Sequence, residues 1–154
     1  MPDPGMKTLQ SLLGGATGAV ALTSIHQAAA KTIPHAPCVD VIGRRVVAGS
    51  AQALGISPPV GQTRQNAALA LDLVSNSLFY SLLGFSKPRN LWRNATALGL
   101  IAGVGALAFP KLFNLGVKPV ARTVPTALYT ISWYTLGSLA TASVLAALTP
   151  TRRK

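Results

Sequence analysis

The chain has 154 residues, of which 49% are hydrophobic and only 11% charged, well under the quarter or so usual in soluble domains. That length holds one compact unit. The composition argues against a soluble helical bundle, whose outer faces carry charge throughout. Fourteen basic residues against three acidic give a net charge of +11. They lie between or just beyond the apolar stretches, where anionic headgroups of a bilayer would meet them. Nucleic acid is not expected as a partner, because no connecting segment offers a basic face with stacking or groove-reading elements. Cys38 is the only cysteine, which rules out an internal disulfide.

No charged residue falls in 8–30, 94–110 or 123–151, and Asp72 alone interrupts 65–86. These windows reach or approach the roughly 20 residues that a spanning helix needs. The predicted fold is therefore an all-α integral membrane protein, a single polytopic domain over 1–154. About four transmembrane helices are expected, at 9–30, 66–85, 94–110 and 124–148.

In the first span, Gly14 and Gly18 stand four apart, the spacing that lets helices approach closely. A signal peptide competes there, with Lys7 before the apolar run and Ala28–Ala30 resembling a cleavage site; the span is preferred. The connection 31–64 is bracketed by prolines, and 39–54 within it reads as a short helix capped by Asp40. Its apolar positions fall on one side, with Arg44 and Arg45 turned away. Such a segment lies in the headgroup plane or packs on the end of the bundle.

The second span carries Asp72, Asn76 and Tyr80 at intervals of four, one polar stripe on a helix. Leu71, Val74, Leu78 and Leu82 lie largely opposite, a face suited to lipid. A tight basic turn follows, with Lys87, Arg89 and Arg93, and Trp92 is placed as an interfacial anchor. The third span carries Gly99 and Gly103 with Gly105 after them, and is expected to end at Pro110. The fourth contains Trp133, Tyr134, Gly137 and Thr141, and three basic residues, Arg152, Arg153 and Lys154, close the chain. Phe79–Leu82 echoes Trp133–Leu136, which duplicated hairpins would produce and shared membrane composition would produce as readily.

With four spans, each side receives seven basic residues. The density of the turn and the tail favours both termini in the cytoplasm, and a bacterial inner membrane is the expected location.

Asp72 is the sharpest functional signal, since ionisable groups inside membranes mark pathways or registers. Counted from residue 66 it lies about 9 Å into its span, level with Ser24–His26. His26 is thus placed to share a proton or hydrogen bond with it, and Thr23, Thr130, Lys31 or Arg64 are the other partners within reach. His26 and His35 do not read as a haem pair, and one Cys with two His matches no zinc spacing. No nucleophile triad or phosphate loop is present. No cofactor, metal or catalytic residue is expected, and the chain does not read as an enzyme.

Two functions remain. The first is a non-catalytic, helix-packing subunit or scaffold of a homo- or hetero-oligomeric membrane assembly, with Gly14, Gly18, Gly99, Gly103 and Gly137 as its packing positions. The second is a small ion or proton channel or transporter using Asp72, His26, Asn76 and Tyr80. Within the second class, small size and a basic tail resemble holins in outline, a likeness of composition with no motif behind it.

Overall fold

The structure, a computed structural model, describes residues 4–148; the basic tail Arg152, Arg153 and Lys154 lies outside the described residues. Every regular element among them is helical. The six helices are α1 (Pro4–Thr32), α2 (Val39–Ala53), α3 (Gly61–Ser81), α4 (Leu91–Leu112), α5 (Lys118–Ala121) and α6 (Val124–Leu148). Two 3-10 turns, Leu82–Phe85 and Pro88–Asn90, join α3 to α4.

Three segments are apolar and long enough to cross a membrane: Gly61–Phe85, Pro88–Leu112 and Val124–Leu148. α1, at 29 residues, has the length. Gln10, Ser11, Thr17, Thr23, His26 and Gln27 dilute its hydrophobicity, and it is not among the three.

Packing follows a chain of neighbours. α3 packs along α1, α1 along α6 and α6 along α4, all antiparallel, while α3 and α4 make no broad contact with each other. The array is therefore curled and open on one side rather than a closed ring. α6 sits in its middle and buries two stripes: Thr126, Thr130, Trp133, Tyr134, Gly137, Ser138, Thr141, Ala142 and Leu145. In lipid the hydrophobic effect does not hold helices together, so close approach and interhelical hydrogen bonds must. Both are present. Ser138 donates to the Ala95 carbonyl at 2.8 Å, Tyr80 to the Tyr134 carbonyl at 2.8 Å and Thr126 to the His35 carbonyl at 2.9 Å.

The glycines expected to pack do so inside the chain. A Cβ on Gly18 would stand 2.5 Å from the Gly137 carbonyl oxygen, and one on Gly99 or Gly103 would stand 2.5 or 2.6 Å from the Cα of Thr135 or Ile131. Gly14 faces Leu145 and Thr141. Two glycines not singled out from the sequence also pack closely: Gly15 of α1 meets Ser77 and Ser81 of α3, and Gly84 in the following 3-10 turn meets Ser11 of α1. The opposite faces carry exposed Leu71, Val74, Leu78 and Leu82 on α3 and its turn, Leu100, Ile101 and Val104 on α4, and Leu128 and Leu136 on α6.

Several sequence boundaries need correction. α3 begins at Gly61, five residues before the expected start, and α4 begins at Leu91 rather than 94. Pro110 does not end α4, which continues to Leu112. A proline removes one N–H and crowds the preceding turn, but here the ring is buried and its carbonyl accepts the Leu115 N–H at 2.8 Å. Asp40 does not cap α2. The cap position is Cys38, with no side-chain bond, and Asp40 pairs with Arg44 at 2.8 Å one turn on. α2 does not lie apart from the array: it packs on α3 and α5, buries Ile42 and Ala51, and sets Gly43 against Ala68.

Candidate functional site

The earlier start of α3 changes the depth of its acid. From Gly61, Asp72 lies about 16 Å along the helix at 1.5 Å per residue. His26 stands about 9 Å from the end of α1 at Thr32, and Thr23 about 14 Å. Thr23 is thus the residue level with the carboxylate. It donates to Oδ2 at 3.0 Å, and Asn76, one turn along α3, donates its Nδ2–H to Oδ1 at 2.9 Å. The expected hydrogen bond from His26 is absent: His26 stands three residues along α1 from Thr23, about 4.5 Å from the level of the carboxylate.

The stripe Asp72–Asn76–Tyr80 faces α1 and α6. Asn76 and Tyr80 are buried, and the Tyr80 hydroxyl crosses to the Tyr134 carbonyl. His26 is also buried, at 7% exposure, and packs on Trp133 and Tyr134 with ring centroids 5.2 and 5.9 Å away. Neither of its ring nitrogens has a protein hydrogen-bond partner. Thr130, one of the alternatives for Asp72, bonds the Val120 and Thr126 carbonyls instead. His35 is exposed in the connection after α1, at a positive φ of 63°.

The open side of the array holds a cavity of about 990 Å³, at the upper end for ligand pockets. α1 contributes Thr23, His26 and Lys31, α3 contributes Asp72, Asn76 and Phe79, and α4 contributes Ile101, Ala102, Gly105, Ala106 and Phe109. α2 covers one end through Ile42, Gly43 and Arg44, and Tyr134 of α6 marks the deep end. Beyond Tyr134 the helices close, with Tyr80 and Leu22 wholly buried. The cavity is a cleft between α3 and α4, lined from Gln62 to Phe79 on α3 and from Ile101 to Phe109 on α4.

Its lining contrasts with the rest of the α4 surface. Gly99 and Gly103 are filled by α6, whereas a Cβ on Gly105 would meet nothing within 4 Å. Comparison with family models, with curated proteins and with solved structures finds no match to this chain.

Proposed function

We propose that the chain is an integral membrane protein of four spanning helices, with α1 as the fourth beside the three apolar ones. In this reading it performs no chemistry and acts as a helix-packing subunit of a homo- or hetero-oligomeric assembly in a bacterial inner membrane. In this reading both termini are cytoplasmic, which the dense basic turn Lys87–Arg93 at the same end favours.

One observation carries the subunit reading: α3 and α4 stand apart around a cleft lined by Ala102, Gly105 and Ala106, while Gly14, Gly18, Gly99, Gly103 and Gly137 are filled from within. The association surface moves accordingly, from the expected glycine pairs to this cleft.

Gly105→Leu tests the reading, because the open space beside Gly105 lets the fold tolerate a larger side chain. The native mass of the gently extracted chain, with co-migrating polypeptides identified, is expected to exceed one copy and to fall on this substitution. A monomer in both cases refutes the subunit reading.

A second reading is favoured by Asp72 and His26 on the cleft wall. Asp72 has no cation beside it and His26 no partner, so a proton or small cation entering the cleft would find both. This carrier reading predicts an ion flux in liposomes that Asp72→Asn abolishes while the fold is kept.

A further inference from the structure

Three arginine side chains line one pocket where α2 meets the start of α3. Arg44, Arg45 and Arg64 line a separate pocket of about 410 Å³ together with Val41, Ala48 and Gly61. Each arginine is anchored from behind. Arg44 holds Asp40 at 2.8 Å and Gln65 at 3.1 Å. Arg45 donates to the Leu115 carbonyl, and Arg64 donates its Nε–H to the Pro59 carbonyl at 2.6 Å. A guanidinium carries five N–H donors, so these anchors fix the planes of Arg45 and Arg64 and leave most of their donors for a ligand.

The charge is unbalanced. Asp40 is the one acid against three arginines, and like charges gathered around a pocket repel until an anion joins them. The planar fork of arginine fits a phosphate with two parallel hydrogen bonds. Gly61 opens α3, whose first-turn N–H groups lack helical partners and add to the same preference.

The neighbouring chain indicates where such a phosphate comes from. Between α2 and α3, Leu54, Ile56 and Val60 expose 76%, 59% and 71% of their surface. Residues 46–63 carry no charge. Exposed apolar side chains beside a basic pocket suit the boundary between headgroups and acyl chains.

We propose that the Arg44–Arg45–Arg64 pocket binds a phosphate group, whether the headgroup of an anionic lipid bedded by Leu54, Ile56 and Val60 or free phosphate. The site lies at the α2–α3 junction, with Arg45 anchored on the connection after α4, and does not depend on the subunit reading.

The test uses the full chain, stripped of lipid in a neutral detergent and titrated by calorimetry with phosphatidylglycerol, phosphatidylcholine or inorganic phosphate. Saturable binding of phosphatidylglycerol, about tenfold or more tighter than phosphatidylcholine, is expected at one per chain. Arg44→Gln, Arg45→Gln and Arg64→Gln should each weaken it about fivefold, and together about a hundredfold. Replacing Lys87, Arg89 and Arg93 by Gln removes the same charge at the opposite end and should change it less than about twofold. Inorganic phosphate binding as tightly as the lipid supports the pocket and makes free phosphate its source.

Equal losses in the two triple variants, or no preference for the anionic lipid, overturn the proposal. If the arginine triple loses helix by circular dichroism, Arg64→Lys decides. It keeps the charge and loses the fork, so about a threefold weakening is expected, and unchanged binding overturns the proposal.

Discussion

The contact between α4 and α6 can be tested with three alanines on one helix. A Cβ at Gly99 stands 2.5 Å from the Thr135 Cα and one at Gly103 stands 2.6 Å from the Ile131 Cα, whereas one at Gly105 meets nothing within 4 Å. Ordinary contact begins near 3.4 Å, so the helices must part by roughly 0.8–0.9 Å to admit either of the first two. A gap of that size forfeits about a quarter to a half of the dispersion attraction between facing atoms, and dispersion is much of what holds helices together in lipid. Overpacking of this kind costs about 1–3 kcal/mol. Each Gly→Ala change also gains about 1 kcal/mol of helix propensity, but that gain is common to all three and cancels when they are compared. Gly99→Ala and Gly103→Ala should therefore be about 1–3 kcal/mol less stable than Gly105→Ala, which should match or exceed the parent. The double variant should cost less than the sum, since parting the helices at one site makes room at the other. The assay is loss of helical circular dichroism as SDS is raised in mixed micelles, followed by refolding. Three alanine variants with the same midpoint would refute the packing described here.

Asp72→Leu leaves the buried Asn76 amide without its acceptor and should destabilise by about 1–3 kcal/mol; Asp72→Asn keeps an acceptor and should stay within about 1 kcal/mol in the same assay. Tyr80→Phe removes only the hydroxyl bond to the Tyr134 carbonyl and should cost about 1 kcal/mol, and a variant as stable as the parent would deny that bond a role. His26→Leu exchanges an unpartnered buried imidazole for an apolar side chain of smaller desolvation cost, so a neutral or positive change of up to about 2 kcal/mol is expected. A large loss of stability there would mean that His26 holds a polar partner inside the cleft.

Helix identity was legible where it depends on composition. The charge-free windows located α4 and α6 within a few residues, and the segment 39–54 matches α2 almost to its ends. The start of α3 was hidden because Arg64 and the polar run before Asn66 read as connection, yet a polar first turn is ordinary at a helix end, where side chains meet headgroups or water. That displacement by little more than a turn moved Asp72 deeper and exchanged His26 for Thr23 as the residue facing it. The glycine spacing pointed to close-packing faces, but periodicity alone does not say against which neighbour. Gly14 and Gly18 meet α6, while the adjacent Gly15 meets α3, so one helix uses two faces about 100° apart. The arginine pocket was visible only as separate charges, because Arg44 and Arg64 come together through the α2–α3 fold.

The central position of α6 has a consequence for synthesis. It follows α1, α3 and α4 in the chain, yet it supplies the surface on which both α1 and α4 pack. Until α6 emerges, Gly18, Gly99 and Gly103 have no helix of this array against them, and the Tyr80 hydroxyl and the Ala95 carbonyl have no partner from it. The α1–α3 pair can form early, but α4 must wait beside it without its own neighbour. Maturation of the array is thus timed by α6, and an interval exists during which the earlier helices are open to capture by other chains.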